Sequence, residues 1–267
     1  MAAIPKRTQA GIVGAGPSGL LLARLLHRQG IDVVVLENRS REYVEGRIRA
    51  GVMEPGTAAL LAKAGAADRM RSEGLVHDGV QIAFNERIAR VDLKKYTQHS
   101  VFIYGQTEIT KDLNTLNLAD GISIHFEARV TAISGLDSTT PVIEYELGGK
   151  RGVLRCDVIA GCDGYHGVSR RSIPPDVLRE YEKTYPFGWL GVLSNTHPAS
   201  HELIYSNHER GFALCSQRSL TVSRNYIQVP TKDTVEQWSD AAFWDELRRR
   251  LPAAIADTLN TAPSLEK

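Results

Sequence analysis

A glycine-rich turn near the start of the chain constrains the fold more than any other feature. Residues 10–13 are apolar and lead into Gly14, Gly16 and Gly19 of a G-x-G-x-x-G motif. Leucines at helical spacing follow, and after them come the apolar run 33–36 and Glu37. This order predicts a βαβ unit, with a strand, a glycine turn, a helix and a second strand that ends in an acid.

Each part of this unit has a physical role in holding a dinucleotide. The first glycine permits the tight turn, the second lets the backbone approach a pyrophosphate, and the third lets the helix pack closely on the strand. Free N–H groups at the helix N-terminus attract the anion. An acid at the position of Glu37 can accept both ribose hydroxyls. The motif predicts dinucleotide binding without choosing between NAD and FAD; the alternative is a glycine-rich turn in another α/β protein.

Two further segments carry groups suited to a nucleotide. Arg47 and Arg49 lie between Gly46 and Gly51, and arginine forks match pyrophosphate oxygens. The alternative is a solvated basic loop. Asp163 follows an apolar run at 157–160, where a strand is predicted to end. Its alternative is an Asx turn with no ligand.

Composition excludes several classes of protein. Lys and Arg number 32 and Asp and Glu number 31, which gives a net charge of +1. This charge argues against a nucleic-acid-binding protein, which would carry a clear excess of basic residues. The three cysteines match no zinc pattern, and we expect idle thiols in a reducing compartment and no metal site. No apolar run approaches 18 residues and no secretory signal is visible. We therefore expect a cytoplasmic protein without membrane or nucleic-acid partners.

The order of patterns predicts two domains of an α/β protein. Alternating runs at 79–84 and 88–93 indicate a hairpin, and longer β-like runs follow Pro186. An amphipathic helix is predicted over 241–251, capped by Ser239 or Asp240. We expect a Rossmann-like nucleotide-binding domain from 1–76 and 101–184. An inserted, mostly antiparallel β substrate domain is expected from 77–100 and 185–267.

Taken together, the motifs resemble the class A FAD-dependent aromatic hydroxylases. The resemblance rests on the glycine turn with Glu37, on 46–51, on Tyr104-Gly-Gln-Thr-Glu108 and on Gly161-Cys-Asp-Gly164. Motifs at 185–189, 201–205 and 210–219 narrow it to members that act on 4-hydroxybenzoate. The similarity covers essentially the whole chain. It implies an FAD-binding monooxygenase that uses NAD(P)H and O2 to convert 4-hydroxybenzoate to 3,4-dihydroxybenzoate.

The resemblance also implies roles for individual residues. FAD would be held by Gly14, Gly16, Ser18, Gly19, Glu37, Arg47, Ile48, Arg49, Ala50, Gly51, Val52, Gln106 and Asp163. His166 would join Arg47 and Arg49 in receiving NADPH, with NADH as a possible donor. The substrate pocket would consist of Tyr205, Ser216, Gln217, Arg218 and Tyr226. Tyr205 and His77 would be catalytic, His77 as the outer member of a proton relay.

The chemistry of these residue types agrees with the implied roles. Arg218 offers a bidentate cation for an aromatic carboxylate, with hydroxyls of Ser216 and Tyr226 expected beside it. A tyrosine such as Tyr205 can favour the ionised form of the substrate phenol, and histidine suits proton relay near neutral pH. The alternatives are that Tyr205 only packs in its strand and that His77 is a surface residue.

The sequence departs from the family near its end. The family continues into a Gly-Asp fingerprint for the flavin, and this chain has no Gly-Asp pair. We therefore expect residues 1–267 to be a truncated form that holds little FAD and hydroxylates slowly. The alternative function is a catalytically incomplete fragment that only binds flavin or aromatic acid. The family further implies a homodimer, and a helix over 38–43 whose arginines, Arg39 and Arg41, favour NADPH over NADH.

Overall fold

The computed structural model describes residues 3–48 and 50–267, so the roles expected of Arg49 lie outside the described residues. The strands are β1 (Arg7–Val13), β2 (Val33–Leu36), β3 (Val52–Met53), β4 (Leu75–His77), β5 (Gly79–Phe84), β6 (Arg87–Asp92), β7 (Val101–Ile103), β8 (Ser123–His125), β9 (Arg129–Ser134), β10 (Val142–Leu147), β11 (Lys150–Gly161), β12 (Phe187–Ser194), β13 (Ile204–Asn207), β14 (Ala213–Gln217), β15 (Ser223–Pro230) and β16 (Ser264–Glu266). The helices are α1 (Pro17–His27), α2 (Arg41–Gly46), α3 (Pro55–Lys63), α4 (Asp68–Glu73), α5 (Leu93–Thr97), α6 (Gln106–Ala119), α7 (Val168–Arg171), α8 (Asp240–Arg249) and α9 (Ala253–Ala256).

The chain forms two compact units. The first unit consists of Met1–Ala50, Ala59–Ser72 and Gly105–Tyr181, and the second of Gly51–Ala58, Glu73–Tyr104 and Glu182–Lys267. The segment Gly51–Ala58 belongs to the second unit, although the sequence groups it with the nucleotide-binding domain. Backbone pairing explains the difference, because the short strand that begins at Val52 pairs with Ile103 of the second unit.

The first unit is built on a six-stranded sheet with the order β8-β2-β1-β11-β10-β9. Strands β8, β2, β1 and β11 run parallel, and β10 and β9 extend the sheet in antiparallel fashion. Parallel strands are buried on both faces, which explains the continuous apolar runs of β1 and β2. Val34 and Leu36 pack in one cluster with Ile143 and Leu154. The predicted βαβ unit is confirmed in this sheet.

The second unit is built on a seven-stranded sheet with the order β16-β12-β15-β14-β13-β5-β6. All neighbouring pairs are antiparallel except β13 and β5. Phe243 and Leu247 of α8 pack against Val192 and Ile227, and Ser239 caps the helix by accepting a hydrogen bond from the Ala242 N–H at 3.1 Å. The predicted fold class, α/β with a mostly antiparallel second sheet, is confirmed.

A small sheet of three short strands, in the order β3-β7-β4, completes the second unit. The sequence does not predict it, because strands of two or three residues carry no readable alternation.

The three cysteines are free thiols. Burial raises the pKa of Cys156 to about 11 and that of Cys215 to about 12, so both stay protonated at neutral pH. Of the helices in the described ranges, none combines the length and the apolar character needed to cross a membrane.

Candidate functional site

The glycine turn of the first unit has the geometry that its three glycines predict. Gly14 has φ +101°, and a Cβ there would lie 2.5 Å from the carbonyl oxygen of Cys162. A Cβ on Gly19 would collide with the carbonyl oxygen of Gly14, so α1 can pack this closely only on a glycine. The space around Gly16 is open, with no atom within 4 Å of a Cβ there. The turn therefore has room for a ligand at its middle glycine.

The carboxylate of Glu37 closes the turn at the end of β2. One oxygen accepts the N–H of Ala15 at 2.7 Å and the other accepts the N–H of Arg39 at 2.8 Å. These bonds fix the carboxylate beside the glycine turn. Because each oxygen has a second lone pair, both remain able to accept hydroxyl groups of a ribose.

The start of α1 faces a loop that follows β11. Gly16 caps the helix without a side chain, and Pro17 occupies its first turn, so the N-terminal amides depend on other partners. The neighbouring cavity of about 660 Å³ includes Ser18, Asp163 and Arg170 in its lining. The Asp163 carboxylate accepts the N–H of Ser169, six residues on, at 3.0 Å, so it caps the start of α7 and does not form the Asx turn considered from sequence.

Two side chains that are predicted to bind a nucleotide are exposed to solvent. One follows this loop and the other lies in the 46–51 segment. His166 is exposed, with its ring edge-on to Tyr165 at a centroid distance of 4.9 Å. Arg47 is exposed, with its guanidinium 5.9 Å from the centre of the Tyr43 ring. Both side chains are accessible to a ligand from solvent.

Backbone hydrogen bonds hold the segment around Arg47 against the start of α6. The carbonyl of Ala50 accepts the N–H of Gln106 at 3.0 Å, and that of Arg47 accepts the Thr107 hydroxyl at 3.2 Å. Ile48 is 36% exposed. The structure therefore brings Gln106 together with this segment, as a shared flavin-binding role requires.

In the second unit, two predicted substrate residues lie in one row across the sheet. Tyr205 pairs with Leu214, which pairs with Tyr226, which in turn pairs with Gly191. Residues in direct register project to the same face, so both tyrosines stand on one surface. Two strand spacings separate them, which is about 10 Å.

Arg218 follows β14 at the Tyr226 end of this row. Its Nη1 donates to the carbonyl of Gln217 at 3.0 Å. Burial lowers the pKa of the Arg218 guanidinium, as does the charge of Arg224, whereas the charge of Tyr226 and a hydrogen bond with it act in the opposite direction. A guanidinium withdrawn from water in this way interacts strongly with an anion that reaches it.

Ser216 and Gln217 have partners other than a substrate. The Ser216 hydroxyl donates to the carbonyl of Arg224 at 2.7 Å. The Gln217 amide donates to the carbonyl of Ser200 at 3.0 Å, and its oxygen lies 3.0 Å from His77 Nε2. Both side chains are nearly fully buried, at 6% and 4% exposure. In this orientation Ser216 can therefore meet a ligand only as an acceptor, and the Gln217 amide supports its neighbours.

His77 is 1% exposed, unlike the surface histidine considered as an alternative. Its Nδ1 is buried and has no hydrogen-bond partner among the described residues. A contact with the Gln217 oxygen makes Nε2 the protonated nitrogen and leaves Nδ1 as an open acceptor. A role at the solvent end of a proton relay would require this ring to become exposed.

Sequence reasoning missed two residues on the face of Tyr226. The Arg224 guanidinium lies 5.3 Å from the centre of the Tyr226 ring and is 3.1 Å from Glu266. A Cβ on Gly191 would come within 2.7 Å of the same ring. The spacing Arg224-x-Tyr226 on a strand is a signal for the first, because alternate residues share a face.

Comparison with known sequences gives one family and several relatives. The model of the FAD binding domain family matches residues 7–267. The chain is 48% identical over 262 residues to p-hydroxybenzoate hydroxylase of Acinetobacter baylyi, which covers 98% of this chain and 65% of that protein. It is 28% identical over 166 residues to the FAD-dependent monooxygenase subE of Metarhizium robertsii, covering 61% and 51%. The chain thus spans less than two thirds of the length of either relative.

Solved structures share the fold. The probable FAD-dependent monooxygenase pqsL from Pseudomonas aeruginosa aligns with a TM-score of 0.78 and 20% identity, over 96% of this chain and 72% of that one. The p-nitrophenol 4-monooxygenase PnpA from Pseudomonas putida aligns with a TM-score of 0.77 and 20% identity, over 97% and 65%.

Proposed function

The chain belongs to the FAD binding domain family, and from that premise we propose that it acts as an FAD-dependent monooxygenase on 4-hydroxybenzoate. The product is 3,4-dihydroxybenzoate, and NAD(P)H and O2 are the co-substrates. The proposal is supported by the 48% identity to a p-hydroxybenzoate hydroxylase. One observation carries the proposal. Arg218 is partly buried beside Tyr226, and Tyr205 stands at the opposite end of the same row of residues.

The residues of the first unit suit FAD. The open space at Gly16 admits a pyrophosphate, and Glu37 is held ready for the ribose by the Ala15 and Arg39 amides. Ser18, Gln106, Asp163 and residues 47–50 are further members of the proposed set in the first unit, and Gly51 and Val52 of the second unit are also proposed to hold FAD. When bound, FAD supplies the redox chemistry that takes electrons from a nicotinamide nucleotide and activates O2.

The residues of the second unit bind and orient the aromatic acid. Arg218 binds the carboxylate through donors of its fork that Gln217 and Tyr226 leave open. Tyr226 accompanies it. The Ser216 hydroxyl, which donates to the Arg224 carbonyl, must turn to donate to the carboxylate. Tyr205, two strands away, hydrogen-bonds the phenol oxygen and favours its ionised form, which is the more nucleophilic one.

In this proposal His77 moves the phenol proton, and its burial limits how that proton exchanges with water. The open Nδ1 can accept a proton, and Gln217 holds the ring through Nε2. Because the ring is 1% exposed, exchange of that proton with water requires a local opening of the second unit. His77 therefore serves as the outer member of the relay when such an opening brings its ring to water.

The preferred electron donor in this proposal is NADPH. The Arg39 guanidinium lies 5.0 Å from the centre of the Tyr43 ring, and no acidic partner of it is present in residues 3–48 and 50–267. Arg41, in contrast, pairs with Glu45 at 2.6 Å. A 2′-phosphate carries about two negative charges, so Arg39 is the side chain suited to it. His166 and the arginine segment receive the remainder of the nucleotide.

The proposal extends to location and assembly. We place the protein in the cytoplasm because its three cysteines remain free thiols. A homodimer is proposed on the family resemblance.

The proposal is tested with the protein expressed from its natural gene, supplied with FAD, NADPH and O2. We expect 4-hydroxybenzoate to stimulate NADPH oxidation and to yield 3,4-dihydroxybenzoate, and 3-hydroxybenzoate to yield far less product because its hydroxyl does not reach Tyr205. Bound FAD and 4-hydroxybenzoate without product would favour the alternative, a protein that only binds flavin or aromatic acid.

A further inference from the structure

We propose that Gly51 is a positioning residue for Arg218 and so determines specificity for a carboxylate. The inference rests on the proposed function, since it concerns the same substrate site. The 47–52 segment is proposed above to bind the flavin. The role inferred here is a different one, because Gly51 acts on Arg218, which binds 4-hydroxybenzoate.

The Arg218 guanidinium lies directly against the α-carbon of Gly51. A Cβ on Gly51 would be 2.8 Å from Nη1, 3.0 Å from Cζ and 3.3 Å from Nε. Three atoms of one planar group at nearly equal distances show that its face, and not its tip, rests on the glycine. The N–H donors point outward in the plane of the group, so this packing leaves the edge of the fork open to a carboxylate.

The backbone beneath Arg218 is fixed. Gly51 is buried, and its carbonyl accepts the N–H of Tyr104 at 2.8 Å. Val52 and Met53 continue the pairing with Ile103 and Phe102. The backbone of Gly51 therefore forms a rigid support, and a collision there moves the guanidinium and not the strand.

Close approach, and not backbone conformation, requires glycine at this position. Gly51 is not among the described glycines with positive φ, so its backbone accepts an alanine. The atom that an added methyl meets first belongs to the end of a flexible side chain, which can shift while the fold persists. The expected defect is a displaced fork and a lost bidentate contact to the carboxylate.

The test compares Gly51→Ala with Gly188→Ala, whose Cβ would have no atom within 4 Å. Calorimetric titration uses 4-hydroxybenzoate and the uncharged 4-hydroxybenzamide. Loss of a charged hydrogen bond predicts that Gly51→Ala weakens 4-hydroxybenzoate binding about tenfold or more. Binding of the amide changes less than about twofold, because a neutral group gains little from the bidentate fork. Gly188→Ala matches the parent with both ligands.

Three results would overturn the inference. These are unchanged binding of 4-hydroxybenzoate by Gly51→Ala, an equal loss for both ligands, and a further large loss when Gly51→Ala is added to Arg218→Lys. If Gly51→Ala unfolds, thermal melting of the Gly51→Ala/Arg218→Ala pair decides: recovery of the fold supports collision with the guanidinium, and continued unfolding contradicts it. A parent protein that binds neither ligand would instead refute the proposed function, and the inference with it.

Discussion

The glycine turn of the first unit and the tyrosine row of the second are both proposed ligand sites, but they are built from different parts of the chain. The turn consists mainly of backbone, with the Glu37 carboxylate as its one acidic side chain, and it lies within one βαβ unit. The row joins Gly191, Tyr205 and Tyr226, which meet only because their strands pair in register. A site made of backbone is read from a local motif, whereas a site made of side chains depends on the sheet.

The two regions should also fail differently when they are changed. Steric errors in the turn affect the fold itself, since α1 packs against β1 there. Changes in the row remove hydrogen bonds to a ligand while the underlying core of α8 and the sheet stays intact.

The largest effect is expected for Gly19→Val. The added side chain collides with the Gly14 carbonyl, so we expect a loss of about 3 kcal/mol or more in the free energy of unfolding. Gly16→Val is the matched control: it points into open space, and it should weaken FAD binding with little loss of stability. Thermal melting and flavin retention measure the two effects. Equal destabilisation by both variants would contradict the assignment of Gly19 to helix packing and of Gly16 to ligand contact.

A smaller effect is expected for Tyr205→Phe. Removal of the hydroxyl leaves the ring contact with Phe212, at a centroid distance of 6.1 Å, and so leaves the packing of the row. The turnover number should fall by about 100-fold, while the dissociation constant for 4-hydroxybenzoate changes little. Steady-state kinetics and equilibrium titration separate the two quantities. An unchanged turnover number would mean that this tyrosine only packs.

Arg218→Lys sharpens the comparison from the other end of the row. Lysine keeps the charge but lacks the planar fork, so affinity for 4-hydroxybenzoate should fall by about 1.5–3 kcal/mol. Arg248→Lys, at a partly exposed position of α8, provides the control and should bind like the parent. Titration calorimetry checks both. Equal affinity of the Arg218→Lys variant and the parent would remove the assigned carboxylate anchor.

The smallest effect concerns Arg39, which precedes α2, and Arg41, its first residue. The helix expected over 38–43 was wrong in its bounds, because Ser40 caps the helix and α2 spans Arg41–Gly46. Arg39→Ala should lower the ratio of kcat/KM for NADPH to that for NADH by about two- to fivefold, the range of an exposed ion pair. Arg41→Ala should change the ratio less, because that guanidinium is already paired with Glu45. Initial rates with both donors give the ratio. A parent ratio near one that neither variant changes would show that neither arginine contacts the 2′-phosphate.

Particular residues show what the sequence predicts and why it stops there. The role of Glu37 follows from a local motif, and its carboxylate does lie at the turn. The grouping of Tyr205 and Tyr226 followed from family resemblance, since the residue types alone gave no register. The burial of His77 and its hydrogen bond with the Gln217 amide were not predicted. They depend on a contact between positions 140 residues apart. The support of Arg218 by Gly51 likewise joins distant segments.

In the proposed reaction, one oxygen atom of O2 enters 4-hydroxybenzoate beside its phenol. Turnover of the naturally encoded protein under ¹⁸O2, with FAD and NADPH, tests this claim directly by mass spectrometry of the product. We expect 3,4-dihydroxybenzoate that carries one ¹⁸O atom, in an amount that matches the 4-hydroxybenzoate-dependent oxidation of NADPH. NADPH oxidation that yields no labelled 3,4-dihydroxybenzoate would contradict it.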